Sequence, residues 1–283
     1  MQETAEPIAR EAAPSQPAWA GSLDLLRAFL AEYTITIVAM IAALVAWEVA
    51  VIVLSVPRFI LPAPSAILQA LIRFWEILLV DTWVTLFETV IGCVAGSLVG
   101  LILAIGIVFS RMLEKIIYPP AIVTQVVPKL AIAPLFVIWF GLGMLPKIMI
   151  GIVICLFPVL VNAVAGMRAV DPSMLDLMHS VNASRWQVFR KVQFPNSAPH
   201  IFAGLKIGIT LAVVGAVVGE WLGSNVGLGH QILIANSQLR GDLLFAALFM
   251  LSVIGIALFG LVVLLESLLL PRQRQISALD KLW

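Results

Sequence analysis

Charge is scarce in this 283-residue chain: 12% of residues are Asp, Glu, Lys or Arg, against 61% that are apolar. Soluble domains carry about 25% charged and about 45–50% apolar residues, so a water-soluble globule is excluded and lipid must form part of the solvent. The formal net charge of +1 argues against a nucleic-acid partner, because phosphate binding needs a concentrated basic face. Cysteine is nearly missing. Cys93 and Cys155 fall in apolar runs, which excludes a disulfide framework and suits small buried hydrophobes. His179, His200 and His230 show no ligand spacing and no H-E-x-x-H string occurs, so no metal site is expected. There is no G-x-S-x-G for an intramembrane hydrolase, and no G-x4-G-K-[S/T] phosphate loop for hydrolysing a nucleotide. The start of the chain also lacks the basic residues and early apolar core of a secretory signal. It carries Glu3, Glu6, Glu11, Pro7, Pro14 and Pro17 instead, and residues 1–33 are expected to form a polar, disordered tail.

What the chain has in quantity is long apolar runs. A helix needs about 20 such residues to cross a hydrocarbon core of about 30 Å. Six runs qualify: Thr34–Val56, Trp83–Phe109, Thr124–Leu142, Lys147–Met167, Ile201–Leu222 and Leu244–Leu270. Their apolar character runs all round rather than alternating, which excludes a spanning barrel. The expectation is an all-α membrane protein of six transmembrane helices. Its parts are a first helix at 34–56, an opposite-side segment at 57–82, a five-helix core at 83–270 and a tail at 271–283.

Six spans put both termini on one side. Arg10, Arg27, Arg111, Lys115, Arg168, Arg185, Arg190, Lys191, Arg272, Arg274 and Lys281 fall there, while Arg58, Arg73, Lys147 and Arg240 fall opposite. Because Lys and Arg favour the cytoplasmic side, both termini are expected in the cytoplasm of a bacterial or archaeal cell, under its cytoplasmic membrane.

Small residues and prolines point to how the helices meet. Gly92, Gly96 and Gly100 recur every four residues, as do Gly215, Gly219 and Gly223. Each set stacks on one helix face and admits another backbone closely, either within the chain or across a dimer seam. Pro128 and Pro134 interrupt the third run and Pro158 the fourth. Each proline removes a backbone donor, which a membrane tolerates where neighbours or cavity water satisfy the freed carbonyl. Kinked helices along a translocation path and purely structural kinks both fit.

One polar stretch, Arg168–His200, is too long for a plain connector. Asp171 followed by Pro172 is a helix start, and Met174, Leu175, Leu177, Met178 and Val181 give that helix an apolar side. Asn182 suits the left-handed turn that ends helices. Ser184 can then cap a second helix bearing Trp186, Phe189 and Val192 on one face and Arg185, Arg190 and Lys191 on the other, stopped by Pro195. A helix–turn–helix knob and an amphipathic segment lying on membrane lipid both match this pattern.

The same stretch resembles the cytoplasmic loop of ABC-importer permeases, often called the EAA loop and written E-A-A-x3-G-x9-I-x-L-P. Here the positions read Asp176, Leu177, Met178, three residues, Asn182, nine residues, Val192, Gln193, Phe194, Pro195. The spacing is kept, while Leu177 and Met178 replace small alanines and Asn182 replaces the glycine. The strings FILPAPSAIL from Phe59, VPKLAIAPLFVIWFGLG from Val127 and VVGEWLGSNVGLGHQI from Val217 resemble segments of the nitrate, sulfonate, taurine and pyrimidine-precursor branch. The likeness runs from about Phe59 to Pro271.

The resemblance implies the type I, MetI-like permease fold. It implies two ATP-binding partner subunits, a second permease copy, an extracytoplasmic substrate-binding protein, and ATP with Mg on the partner ATPase rather than in this chain. Asp176, Leu177, Met178, Asn182, Ala183, Ser184, Arg185, Val192, Phe194 and Pro195 would then form the ATPase-coupling loop. Ionisable residues inside a membrane are costly and so are default functional groups. Glu48, Glu88, Lys129 and Glu220 qualify, and Pro128, Lys129, Pro134 and Glu220 are read as lining the path or gate. Lys129 is expected towards the cytoplasmic end of its span and Glu220 towards the exterior end, so the two are not expected to pair. An ion-coupled secondary transporter is the competing class; it calls for midplane carboxylates or inverted repeats, and Glu88 alone tempts that reading.

Overall fold

The computed structural model describes the backbone of residues 18–270 and the side chains of residues 34–270. All regular structure among these residues is helical. The chain divides at Val56 into two units, Met1–Val56 and Pro57–Trp283. The first unit holds α1 (Ala18–Val53). This helix starts well before the expected span, inside the stretch read as a tail, because residues 18–33 are rich in the strong helix formers Ala, Leu and Arg. Residues 1–17 and the tail at 271–283 lie outside the described ones.

The second unit is built on three long helices: α3 (Trp75–Phe109), α6 (Met144–Arg168) and α9 (Phe194–Gly223). Helix α3 begins eight residues ahead of the expected Trp83, so part of the 57–82 segment is helix continuous with a span. The short α2 (Pro64–Arg73) precedes it, with Pro64 in its first turn. Helix α6 is the central element. On one side it receives the glycine stripe of α3: a Cβ on Gly92 would lie 2.9 Å from Gly151 Cα, one on Gly96 2.4 Å from the Ile152 carbonyl oxygen, and one on Gly100 2.6 Å from that of Leu156. The two helices run parallel. On its other side α9 runs antiparallel, Gly204 facing Pro158 and Val159, Gly215 facing Ile154, and Gly219 facing Lys147. Gly223 continues that stripe against Val137 and Leu142. Without side chains at these points the backbones approach closely, and packing replaces the hydrophobic drive that lipid cannot supply. Pro158 does not interrupt its span. Helix α6 runs through it, and Asn162 Nδ2 donates to the Pro158 carbonyl at 2.8 Å.

The third expected span is the main departure. The helix starts at Arg111, capped by Ser110, whose hydroxyl accepts from Leu113 N at 3.4 Å. This α4 (Arg111–Val126) breaks at Pro128 into a short 3-10 turn, Lys129–Ile132, and α5 (Ala133–Phe140), with a bend of 97°. Among the described residues five helices are therefore long and apolar enough to cross a membrane, or six where the bent pair is counted as one span. Arg111 and Lys115 sit on a helix rather than in a loop. The turn between α5 and α6 uses Gly141 (φ 76) and Gly143 (φ 125), backbone angles that glycine adopts without strain. Two elements remain beyond α9, the short α10 (Leu228–Ser237) and the long α11 (Gly241–Leu269).

Candidate functional site

Between α6 and α9 the Arg168–His200 stretch folds as its local chemistry dictates. Asp171 caps α7 (Pro172–Ser180), its Oδ1 accepting from Ser173 N at 2.8 Å and from Ser173 Oγ at 2.6 Å. Donation from the Ser173 hydroxyl, seconded by its amide, holds the Asp171 carboxyl below the usual range. The C-terminus is a Schellman turn. Asn182 takes φ 52, its N–H bonds His179 O at 2.9 Å, and Ala183 N–H bonds Met178 O at 2.9 Å. Asparagine thus fills the left-handed position that glycine takes in the motif. Ser184 then opens α8 (Arg185–Val188) with a full capping box: Ser184 N donates to Gln187 Oε1 at 2.7 Å, and Gln187 N to Ser184 Oγ at 3.3 Å.

Pro195 does not stop this second helix. The chain passes through a π turn, Phe189–Gln193, into α9, giving one continuous run from Arg185 to Gly223. The wider turn makes room ahead of Pro195 for a ring that would clash with a normal α-helical carbonyl. Phe189 is the anchor, 5% exposed and packed with Ile107, Ala121, Leu160 and Met167. Its ring lies 5.0 Å from Phe109, 5.4 Å from Trp186 and 5.7 Å from Phe194. Helix α7, by contrast, buries no residue. Met174, Leu177 and Val181 are exposed there beside Asp176. Val192 and Ala183 are half-buried, and Arg185 and Pro195 are exposed.

At the far end of the bundle from this loop lies a polar cluster that the sequence reading largely missed. Three consecutive amides at the start of α10 are each taken by a buried side chain. Gly227 N donates to Asp81 Oδ1 at 2.7 Å, Leu228 N to Thr85 Oγ1 at 2.9 Å, and Gly229 N to Glu220 Oε2 at 2.5 Å. Thr85 Oγ1 in turn donates to Glu220 Oε1 at 2.6 Å. These are orphan amides of a helix N-terminus, where carboxylates are well placed. Gly227 has φ 107, and a Cβ there would lie 2.3 Å from Glu220 Cδ, so no other residue fits.

Beside them Lys147 forms an ion pair with Glu88, and Lys147 Nζ donates to Ser224 Oγ at 3.0 Å. Beyond that pair the Glu88 oxygens have no hydrogen-bond partner. Glu88, Glu220, Asp81 and Lys147 are all almost completely buried. The cluster thereby ties α3, α6 and α9 to the loop between α9 and α10. Asp81, Thr85, Glu88, Gly92, Gly96 and Gly100 fall three or four residues apart on one face of α3, and that spacing was the available signal. Lys147, read as the first residue of its span, lies in the first turn of α6, which starts at Met144.

The other residues read as lining the path sit at the break. Pro128 caps the 3-10 turn and Pro134 lies in the first turn of α5. Lys129 is half-buried, with its ammonium 5.7 Å from the ring centroid of Phe157, against the middle of α6 rather than towards its loop end. The helix preceding the break starts at Arg111 and ends at Val126, so the chain has already climbed far by Lys129. Lys129 and Glu220 do not meet.

A family model described as the binding-protein-dependent transport system inner membrane component matches residues 96–274. The chain is 39% identical over 216 residues to a probable ABC transporter permease protein of Haemophilus influenzae, covering 76% of this chain and 88% of that one. It is 32% identical to the formylaminopyrimidine transport permease protein ThiX of Halalkalibacterium halodurans, covering 82% and 93%. Riboflavin transport system permease protein RibX of Chloroflexus aurantiacus is 34% identical, covering 82% and 87%. In fold, the chain matches a solved amino acid ABC transporter at TM-score 0.56 with 20% identity, covering 72% of this chain and 97% of that one. It matches the MetNI methionine ABC transporter at TM-score 0.52 with 16% identity, covering 67% and 96%. These matches support the MetI-like permease fold and give the secondary-transporter reading no support. The chain belongs to the binding-protein-dependent transport system inner membrane components, the multi-pass permease subunits of ABC importers.

Proposed function

We propose that this permease carries a small organic or oxyanion solute inward by alternating access, driven through the Arg168–His200 loop by ATP bound with Mg on a pair of partner ATPase subunits. A second copy of the chain completes the path, an extracytoplasmic binding protein delivers the solute, and both termini face the cytoplasm. The observation that carries this reading is the two-sided build of the loop. Phe189 fixes one side in the bundle, while α7 offers Met174, Leu177 and Val181 to solvent, a rigid apolar knob suited to a groove on a partner. Asp176, Leu177, Met178 and Asn182 through Arg185 are the docking residues. Val192, Phe194 and Pro195 join the knob to α9, so a push on the loop moves a transmembrane helix directly.

At the opposite end, the cluster around Glu220 is the external gate. The break at Pro128, Lys129 and Pro134 lines the path, a role that broken helices serve in other transporters. Relatives transport formylaminopyrimidine and riboflavin by name, and others aliphatic sulfonates and taurine, which frames the solute as small and polar. The test is co-purification with the ATPase subunit. Replacing Asp176–Pro195 by a Gly/Ser linker of equal length is expected to abolish it, and persistence of the complex would sink the coupling assignment.

A further inference from the structure

Two lysines on the spanning helices of the second unit are matched to acids, and a third, at the helix break, is not. Lys147 is paired with Glu88, and Lys206 reaches Glu266 at 2.6 Å. Lys129 has no carboxylate within ion-pair distance among the described residues. Its single close polar partner is the face of Phe157 at 5.7 Å. Phe157 lies about 20 Å from the start of α6 and about 17 Å from its end at 1.5 Å per residue. The ammonium therefore stands deep in the apolar zone, where an unpaired charge facing lipid is costly and such residues turn to a bundle interior or a water-filled cavity.

The surroundings match that second alternative. Lys129 lines a hollow of about 250 Å³ with Gln125, Pro128, Ile154, Leu211 and Val214. The hollow opens on an exposed apolar stripe of α9, formed by Ile207, Leu211, Val214 and Trp221. These recur every three, four or seven residues and so share one helix face. Lysine identifies this stripe, out of the several exposed apolar faces, as the one turned towards the path.

Resting on the permease reading above, we propose that Lys129 is a binding residue for the negative charge of the transported solute, and that this solute is a small oxyanion or sulfonate. The ammonium supplies the missing counter-charge, strengthened by the low dielectric of the site. Phe157 and the aliphatic wall of Ile154, Leu211 and Val214 accommodate an apolar remainder. In the absence of solute the cation–π contact with Phe157 holds the ammonium.

The test uses the whole transporter (permease, ATPase and binding protein) in liposomes, with nitrate and ethanesulfonate as charged probes and riboflavin and formylaminopyrimidine as uncharged ones. Wild type is expected to take up a charged probe with ATP. K129M is expected to lose at least tenfold of that uptake while still eluting as an intact complex with the ATPase, and K129R to keep at least a third. Wild-type uptake of a charged probe by K129M, or uptake of the uncharged probes alone, overturns the proposal. Failure of the permease reading looks different: the chain then does not co-purify with the ATPase, and no probe is moved with ATP by any variant.

Discussion

Lys147 of α6 and Glu88 of α3 form an ion pair at side-chain exposures of 3% and 0%. Two charges are thus held inside the bundle next to the three amides of α10 that Asp81, Thr85 and Glu220 take. Losing one member of such a pair leaves the other buried and uncompensated, at about 3–5 kcal/mol, whereas replacing both by apolar groups is often near neutral. K147M and E88L are each expected to lower the Tm of the purified protein sharply, and E88L/K147M to recover most of the loss. Thermal unfolding in detergent completes the cycle, and additive single effects would show that the pair is not coupled.

Gly96 makes the closest approach between α3 and α6, since an added Cβ would meet the backbone of Ile152 and not a side chain that can turn away. G96A is expected to push α3 from α6 and to reduce the yield of monodisperse protein severalfold. Gly255 of α11 has nothing within 4 Å of an added Cβ. Substituting alanine there should stabilise by about 0.5–1 kcal/mol, the backbone-entropy difference. Size-exclusion profiles and Tm of the two variants separate contact from composition.

That contrast bears on how far the sequence was legible. The glycine spacing was visible in the residues, and so were the Asp171 and Ser184 caps, because each is a local rule acting within a few residues. The 97° break was half visible. Pro128 marks it, yet the apolar run beginning near Thr124 hid the helix that precedes it, since α4 carries Arg111, Glu114 and Lys115 and does not read as a continuous apolar run. The far-end cluster was illegible as a cluster. Asp81, Glu88, Lys147 and Glu220 come from three helices, and no spacing rule links residues 135 positions apart such as Thr85 and Glu220. Long-range pairing is decided by the tertiary fold.

Asn182 offers a sharp test of the turn that aims α7. Its φ of 52 is open to glycine and tolerable for asparagine, but costs other residues about 1–2 kcal/mol. N182G is expected to keep or improve both Tm and binding to the ATPase. N182V should weaken that binding at least fivefold while leaving the transmembrane bundle intact by circular dichroism. Equal binding by N182V and N182G would show that the angle between α7 and α8 does not matter for docking.

Phe189 and Leu177 divide the loop into a side that belongs to the bundle and a side that belongs to a partner. Phe189 fills a site among Ile107, Leu160 and Met167 and meets three aromatic rings, so F189A removes packing worth about 3–5 kcal/mol. Its expected result is a lower Tm together with ATP hydrolysis that no longer drives uptake, because the knob has lost its seat on α9. Leu177 is 58% exposed and stabilises the isolated chain little. L177D should leave the folding stability within about 0.5 kcal/mol of wild type, as surface changes do, and yet abolish co-purification with the ATPase. If L177D bound normally while F189A did not, the docking surface would lie on α8 rather than α7, and the assignment of the two sides would have to be exchanged.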